Sequence, residues 1–231
     1  MFQKEKVLAI VPARSGSKRI KDKNITNLQG KPLLSWTIES ARKCEILDDV
    51  AISSDSKKII ALAKKAGATK FIHRPESLST DSASSVDVII HALDLYPSYK
   101  WYVLLQPTSP LRNEFHIHES FNLLNNHSSQ SIVSISESKS KPNHIFSIDN
   151  KTQDINPILG WPGLLMPRQS LKKYYELNGA IYIGRADDIR RTKKLMDIKT
   201  LGYIMDQSVS LDIDDPEDLK VAQTILENRG L

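Results

Sequence analysis

The sequence predicts an α/β fold with a doubly wound, mostly parallel sheet. Short β-rich runs alternate with amphipathic helical patterns through the first 135 residues, and the same alternation returns after residue 175. The first strand also runs directly into a loop of small and basic residues, as in sheets that bind ligands at the carboxyl ends of their strands. With 231 residues, 40% of them hydrophobic, residues 1–231 are expected to form one domain of this class.

The predicted strands of the first part cover residues 7–13, 50–54, 70–74, 101–106 and 131–136. The predicted helices between them cover residues 32–44, 56–67, about 82–96 and 115–126. Pro32 suits the first turn of a helix, Ser56 suits an N-cap, and Gly67 suits a helix end. The first of these helices therefore has a start signal, and the second has both a start and a stop signal.

The alternation of strands and helices stops at about residue 137 and returns at about residue 175. The residues between contain scattered Pro, Asn, Ser and Lys. This segment is predicted to be an insertion, either loop-rich or built of short antiparallel strands. The later part is predicted to contain strands at 179–184, 200–205 and 208–214, a short helix between the first two, and a closing helix at 215–229.

The charge pattern favours a compact anion site. The net charge is +5, and one loop holds a dense cluster of cations, whereas aromatic residues make up only 6% and are not interleaved with it. A nucleic-acid partner is therefore not expected. No apolar run approaches the roughly 20 residues that span a bilayer, so no membrane association is expected, and the single Cys44 fits a reducing cytoplasm.

The basic loop covers residues 12–19, with the sequence PARSGSKR. Small residues allow backbone N–H groups to approach an anion, and Arg14 and Lys18 would neutralise phosphate charge. The loop is neither a Walker A loop nor a G-x-G-x-x-G turn. Its place at the end of the first strand favours phosphate binding over a solvated basic loop.

Asp212 and Asp214 alternate with apolar residues near the carboxyl terminus. In a strand they would share one face, about 7 Å apart by Cα. Two such carboxylates are typical of a Mg²⁺ site, which is completed by waters and substrate phosphates. The sequence is equally compatible with aspartates that cap the helix starting at Pro216, and Asp215 is expected to have that role.

A third segment, LLQPTSPLR at 104–112, is interpreted as a buried strand that ends in a proline-stiffened loop. Gln106 offers both a donor and an acceptor at the strand end, which suits a polyhydroxylated substrate. Prolines that simply end the strand explain the pattern equally well.

Five segments together resemble one family. PARSGSKRIKDKN, HRPESLSTDSASS, LLQPTSPLR, ELNGAIYI and SLDIDDPEDL, in this order, are similar to the CMP-sialate synthetase (acylneuraminate cytidylyltransferase) family. The resemblance implies a Rossmann-like nucleotidyltransferase that joins CTP to a nine-carbon acidic sugar (a nonulosonic acid), with Mg²⁺, and releases pyrophosphate. It also implies a cytoplasmic homodimer in which the inserted segment reaches the partner's sugar pocket.

The resemblance assigns roles to individual positions. Residues implied in catalysis are Arg14, Lys18, Lys23, Asp212 and Asp214, the two aspartates also being the metal ligands. Residues implied in nucleotide binding are Ala13, Arg14, Ser17, Lys18, Asn24, Arg74 and Ser85. Residues implied in sugar binding are Gln106, Arg168, Asn178, Tyr182, Leu195 and Met196. Arg168 is the expected partner of the sugar carboxylate.

The departures from the family lie on the sugar side. His144 stands where some relatives have lysine, and Leu195 and Met196 stand where some have an aromatic pair. An aliphatic wall favours a sugar with more apolar surface, such as legionaminic or pseudaminic acid. Alternatives are a cytidylyltransferase for Kdo or methylerythritol phosphate, a catalytically inactive CTP-binding regulatory protein, and a nucleic-acid-binding protein.

Overall fold

The computed structural model describes residues 1–166 and 172–230. A seven-stranded sheet forms its centre, and two small hairpins lie outside the sheet. The strands are β1 Val7–Pro12, β2 Asn27–Leu28, β3 Lys31–Pro32, β4 Asp49–Ser54, β5 Lys70–His73, β6 Trp101–Leu104, β7 Ser131–Glu137, β8 Phe146–Ile148, β9 Ile155–Pro157, β10 Tyr175–Arg185 and β11 Leu201–Ile204.

The main sheet has the strand order β11-β7-β10-β6-β1-β4-β5. β10 runs antiparallel to β6 and β7, while every other pairing in the sheet is parallel. β1 lies centrally between β6 and β4, and its residues Val7–Val11 are fully buried. The predicted mostly parallel, doubly wound sheet is confirmed, and the carboxyl ends of β1, β4, β5 and β6 meet at one edge.

The helices are α1 Leu33–Lys43, α2 Lys57–Lys65, α3 Ser85–Leu95, α4 Glu114–Asn125, α5 Gly160–Leu164, α6 Ala186–Thr192 and α7 Pro216–Asn228. Alternate side chains of β1 divide the core: Ala9 and Val11 pack with α1, α2 and α4, whereas Leu8 and Ile10 pack with α3 and α6. This burial of both faces is why the strands are continuous apolar runs in the sequence. Across the described residues, none of the helices combines the length and apolarity that crossing a membrane requires.

Helix starts follow the capping signals with one exception. Ser56 caps α2 by accepting a hydrogen bond from the Ile59 amide, as predicted. Asp215 caps α7 and forms a reciprocal capping box with Asp218, which confirms the role expected for Asp215. Pro32 is the residue before α1 and pairs in the β2–β3 hairpin, so it lies one position earlier than predicted.

The segment after β7 leaves the main sheet. It contains the antiparallel hairpin of β8 and β9 and the short helix α5, one of the two forms predicted for it. The predicted strand at 208–214 is wrong. Residues 207–209 form a 3-10 turn, and residues 210–214 are irregular and do not pair in the sheet, because the Ile213 amide donates to the carbonyl of Thr108 in a loop instead.

Candidate active site

A cleft of about 500 Å³ opens at the carboxyl edge of the main sheet. The basic loop lies on one side of it, the start of α3 on another, and Asp214 with the 106–108 loop on the third. Its lining residues include Arg14, Ser17, Lys18, Lys23, Asn24, Arg74, Asp81, Ser85, Gln106, Thr108 and Asp214. Most residues predicted for nucleotide binding therefore share one cavity, although they come from separate segments of the chain.

Two side chains hold the basic loop in place. Asp55, at the end of β4, accepts hydrogen bonds from the Ser15 amide (2.8 Å) and hydroxyl (2.5 Å). Asn24 donates from Nδ2 to the Arg14 carbonyl at 2.9 Å. Gly16 has φ of +69°, a conformation that favours glycine, and it lets the loop turn between these anchors. The loop is thus fixed before any ligand arrives.

Several opposing effects determine the ionisation of Asp55. Burial is the largest of them and raises the pKa of this carboxyl, but the hydrogen bonds, those from Ser15 foremost, together lower the pKa below its usual value. Arg74 adds a smaller favourable charge interaction. Asp55 is therefore an ionised anchor beneath the basic loop.

Arg14 and Lys18 converge on a single carboxylate. Arg14 Nη2 lies 2.5 Å from Asp81 Oδ1, and Lys18 Nζ pairs with Asp81 Oδ2. The hydrogen bonds from Lys18 and then Arg14 lower the pKa of Asp81. Asp81 lies in the loop between β5 and α3. The two cations predicted to bind phosphate are therefore paired with a carboxylate of the protein itself.

Arg74 forms the floor of the cleft. It is almost completely buried, and its nitrogens donate to the Ser53 hydroxyl and carbonyl and to the Leu78 carbonyl. Burial lowers the pKa of the guanidinium, and the charge of Asp55 opposes that effect. Ser85 is the first residue of α3 and faces the same cleft, while Ser84 caps the helix.

Two predicted nucleotide contacts are positioned differently from expectation. Ala13 is fully buried in the core, and its amide donates to the Ser53 carbonyl, so that amide continues the sheet ladder and is not free for a phosphate. Asn24 lines the cleft but uses Nδ2 to hold the Arg14 carbonyl. Both residues therefore support the backbone around the basic loop.

The acidic segment approaches the cleft from the opposite side. Asp212 is largely buried, and its Oδ1 atom has no hydrogen-bond donor. Burial raises the pKa of Asp212, partly opposed by the Thr108 hydroxyl, and the neighbouring Asp214 raises it further. Asp214 is exposed and pairs with Lys23 (3.2 Å) and Arg19 (3.4 Å). Lys23 Nζ also donates to the Ile213 carbonyl at 2.8 Å.

These carboxylates suit a hard divalent cation. Burying a carboxylate oxygen that accepts no hydrogen bond costs folding free energy, unless a cation or a water molecule satisfies that oxygen. Asp212 offers such an oxygen, and Asp214 lies two residues away at the cleft wall. Within the described residues, no group of three or more His, Cys, Asp or Glu side chains forms a complete metal cage. Two carboxylates completed by substrate oxygens and water are the pattern typical of Mg²⁺.

Gln106 and the Gly179 turn meet beside Asp212. Gly179 has φ of +73°, and a Cβ placed there would lie 3.2 Å from Asp212 Oδ2 and 3.4 Å from Gln106 Oε1. The turn therefore requires glycine on grounds of both conformation and space. Gln106 faces the cleft, and it is the predicted sugar-binding residue with the clearest access to the cleft.

Asn178 and Tyr182 lie behind this turn. Asn178 Oδ1 accepts from the Ser134 hydroxyl (2.6 Å) and the Ala180 amide (3.2 Å), and Nδ2 donates to the Ser210 hydroxyl (3.0 Å). One amide hydrogen of Asn178 is left for a ligand. Tyr182 is mostly buried; burial, and then the charge of Asp212, raise the pKa of its hydroxyl.

Leu195 and Met196, two further predicted sugar contacts, do not line this cleft. They line a second groove of about 250 Å³ together with Ser131 and Arg185. Ser131 begins β7, and Arg185 pairs with Trp101 at the start of β6, so this groove is at the amino edge of the sheet. Within one chain, these two residues do not wall the cleft that contains Gln106.

Two further sequence positions remain, Arg168 and His144. Arg168 lies outside the described residues. His144 is exposed in a 3-10 turn that precedes β8.

Sequence reasoning missed three residues that shape the cleft: Asp55, Asp81 and Thr108. Asp55 comes directly after the predicted strand 50–54, so its position at a carboxyl strand end was a usable signal. Asp81 lies inside the family-like phrase HRPESLSTDSASS, but nothing in its sequence surroundings indicates that it reaches Arg14.

The sequence and the fold of this chain are similar to those of known proteins. Residues 8–196 match the sequence profile of a family described as Cytidylyltransferase. The N-acylneuraminate cytidylyltransferase of Escherichia coli O18:K1:H7 is 40% identical over 97% of this chain and 53% of its own length. The CMP-N,N'-diacetyllegionaminic acid synthase of Legionella pneumophila is 33% identical over 96% of this chain and 97% of its own length.

The chain thus spans about half the length of the first of these curated relatives and nearly all of the second. Among solved structures, a CMP:2-keto-3-deoxy-manno-octonic acid synthetase complexed with CTP superposes with a TM-score of 0.75 at 17% identity. That match covers 97% of this chain and 100% of the other. At this identity the likeness concerns the fold.

Proposed function

Because this chain belongs to the cytidylyltransferase family, we propose that it transfers CMP from CTP to the anomeric hydroxyl of a nonulosonic acid and releases pyrophosphate. The acceptor is N-acylneuraminic acid or an analogue such as N,N'-diacetyllegionaminic acid, the sugars for which two relatives are named.

One observation carries the proposal: phosphate-binding cations and paired carboxylates face each other across one cleft. Arg14 and Lys18 stand on the basic-loop side, and Asp214 stands on the other side with Asp212 just behind it. Arg74 and Ser85 line the part of the cleft near α3, where hydrogen-bond donors suit a cytosine ring. A catalytically inactive CTP-binding protein would have no need of the Asp212 and Asp214 pair.

The reaction that this arrangement supports is an in-line displacement at the α-phosphorus. The sugar hydroxyl loses its proton to solvent, its oxygen forms a bond to that phosphorus, and the bond from the phosphorus to the bridging oxygen of the leaving pyrophosphate breaks. Arg14 and Lys18 neutralise the charge that develops on the pyrophosphate. Gln106 orients the sugar, and the anchored loop keeps the triphosphate aligned, so that most of the rate arises from positioning and charge neutralisation.

Magnesium is part of the proposal. Asp212 and Asp214 would hold the ion, with the free Asp212 Oδ1 as its protein ligand nearest the core. When bound, Mg²⁺ would supply positive charge to the phosphate oxygens. Lys23 keeps Asp214 beside the Ile213 carbonyl and therefore controls the position of the exposed carboxylate.

The proposed activity is tested by a pyrophosphate-release screen with CTP and Mg²⁺. The acceptors are N-acetylneuraminic, N,N'-diacetyllegionaminic, pseudaminic and Kdo acids, with methylerythritol phosphate as a further arm. We expect turnover with at least one nine-carbon acid and no comparable turnover with Kdo or methylerythritol phosphate. CTP binding without pyrophosphate release from any acceptor would support the regulatory alternative instead.

We also propose that the protein is a cytoplasmic homodimer. The segment between β7 and β10 exposes large apolar side chains, which a partner would cover. They are Ile148, Ile155, Ile158, Trp161 and Leu165, with exposures from 49% to 78%. A second copy is also the way in which Leu195 and Met196, at the amino edge of one chain, would reach a sugar pocket. Buried, unpaired Cys44 suits a reducing compartment.

Light scattering tests the homodimer. We expect a dimer at micromolar concentration and a monomer for the Trp161→Glu, Leu165→Glu double variant, because two charges on the apolar surface oppose its burial. The monomer should keep CTP affinity, since the nucleotide cleft lies within one chain. A wild-type monomer at all concentrations would contradict the proposal.

Removing the negative charge of Asp81 is expected to strengthen CTP binding. The carboxylate must give up Arg14 and Lys18 when the triphosphate binds them, so Asp81→Asn should lower the CTP KM by roughly threefold to tenfold, as for other exposed ion pairs. Titration calorimetry and steady-state kinetics at two salt concentrations measure the change. Asp87→Asn, at an exposed position in the first turn of α3, is the matched control. A raised KM would show that Asp81 instead orients the cations for the nucleotide.

A further inference from the structure

Arg112 is a buried cation with incomplete hydrogen bonding. The residue is 1% exposed, and its Nε and Nη2 atoms have no partner. Among the described residues, no carboxylate forms a salt bridge with it. Burial lowers the pKa of the guanidinium to about 9, so the group is still charged at neutral pH. A buried charge of this kind is unfavourable for stability and needs another explanation.

In the described structure, the Arg112 guanidinium has two hydrogen-bond acceptors, both backbone carbonyls, one in the loop after β6 and one in β10. Nη1 lies 3.0 Å from the Ala180 carbonyl and 3.4 Å from the Gln106 carbonyl. The Gln106 carbonyl also accepts from the Thr37 hydroxyl of α1 at 3.3 Å. A single nitrogen therefore links the end of β6 to the middle of β10.

Both linked peptides belong to the acceptor side of the cleft. Gln106 faces the cleft directly, and the Ala180 amide donates to the Asn178 side chain. Between them the Gly179 turn brings Gln106 Oε1 beside Asp212. The separation of the two backbones at Arg112 therefore determines where Gln106 lies relative to Asp212.

The nucleotide side has its own anchors. The basic loop is held by Asn24 and Asp55, and Arg74 is held by Ser53 and Leu78, all without Arg112. Loss of the Arg112 bridge would therefore leave the CTP contacts in place. It would move only the elements proposed to receive the sugar.

We propose that Arg112 is a positioning residue for the sugar half of the site: its guanidinium sets the distance between the Gln106 strand end and the Gly179 turn. Only the kinetic test of this inference rests on the proposed function. The geometric bridge itself is observable without turnover.

The test compares Arg112→Met, Arg112→Lys and the control Arg190→Met. Met removes the charge and both hydrogen bonds while it keeps an unbranched apolar side chain, and Lys keeps the charge and one donor nitrogen. Arg190 is partly buried, pairs with Asp94 and donates to the Leu93 carbonyl, and it does not line the cleft. Steady-state kinetics are measured for both substrates, and amide hydrogen exchange is measured for the segments 104–109 and 178–182.

We expect Arg112→Met to raise the sugar KM by roughly tenfold or more, since small misplacements of binding groups are costly, while the CTP KM changes less than about twofold. Arg112→Lys should recover part of the loss. Exchange should rise in both segments for Arg112→Met and not for Arg190→Met. Equal losses for both substrates, or unchanged exchange in both segments, would overturn the inference.

The two hypotheses fail differently. If the wild type released no pyrophosphate with any acceptor, the proposed function would fail, while the exchange pattern would still decide whether Arg112 joins the two segments. If the wild type is active and the Arg112 variants show no difference between the KM values for sugar and CTP, the proposed function stands and the positioning role is overturned.

Discussion

Replacing Asp212 or Asp214 by asparagine is expected to lower kcat by about 10³-fold or more. Each substitution removes one of the two carboxylates proposed to hold Mg²⁺ and leaves the side-chain shape nearly unchanged. A metal contributes several kcal/mol of charge stabilisation to such a transition state, and each 1.4 kcal/mol is one decade in rate. Pyrophosphate release across a range of Mg²⁺ concentrations measures the effect, and excess Mg²⁺ should recover part of it.

The two aspartates should differ in their effect on stability. Burial raises the pKa of Asp212, so its ionisation opposes folding as the pH rises through the pKa of the folded state. Above the pKa of the folded state, the Asp212→Asn variant does not have the free-energy cost of ionising a buried carboxyl. Its Tm should therefore be equal to or higher than that of the wild type. Asp214→Asn loses the pairs with Lys23 and Arg19 and should show no gain.

Asp187→Asn is the matched control for both variants. Asp187 is exposed on α6, away from the cleft, so its replacement should leave kcat unchanged. Near-normal activity of both Asp212→Asn and Asp214→Asn would show that the carboxylates do not hold a metal. Folding is checked by the thermal transitions of all three variants.

The strands could be predicted because local pattern and tertiary environment agree. Buried parallel strands are apolar on both faces, and β1 and β6 show this as the runs VLAIV and WYVL. The cleft could be predicted in outline for a related reason. The loops after parallel strands all begin at the same edge of the sheet, so Arg14 after β1 and Gln106 after β6 had to be neighbours.

The direction of β10 could not be predicted in the same way. An apolar run has the same pattern in both directions, yet β10 is antiparallel and brings Arg185 and the residues after it to the amino edge. Leu195 and Met196 lie beyond it there, so within one chain they do not line the cleft that contains Gln106.

The hydrogen-bond partners of individual residues could not be predicted from the sequence either. The alternation in SLDID does place Ile213 in the core, where it is fully buried. It does not reveal that the backbone partner is the Thr108 carbonyl in a loop rather than a strand. The full burial of Arg112 also depends on elements that meet only in the folded chain, and arginine is rarely a buried residue.

Replacing Arg14 by alanine is expected to lower kcat/KM for CTP by roughly 10²-fold or more, because a lost contact to developing phosphate charge is worth about 3 kcal/mol. Lys18→Ala should cause a smaller loss, since the Lys18 side chain is 78% exposed and that of Arg14 is 31% exposed. Solvent screens the more exposed cation more strongly. Pyrophosphate release at fixed ionic strength measures both effects.

Lys64→Ala is the control for these two variants, because Lys64 lies in the last turn of α2 and does not line the cleft. A loss equal to that of Arg14→Ala would mean that the basic loop acts only as a general positive surface.

The Asp81→Asn background gives a second comparison for the same two cations. There Arg14 and Lys18 are no longer paired with a carboxylate, so the cost of each alanine substitution should include only the lost contact with the nucleotide. If Arg14→Ala and Lys18→Ala became harmless in that background, the two cations would serve to hold Asp81 and its loop rather than the triphosphate.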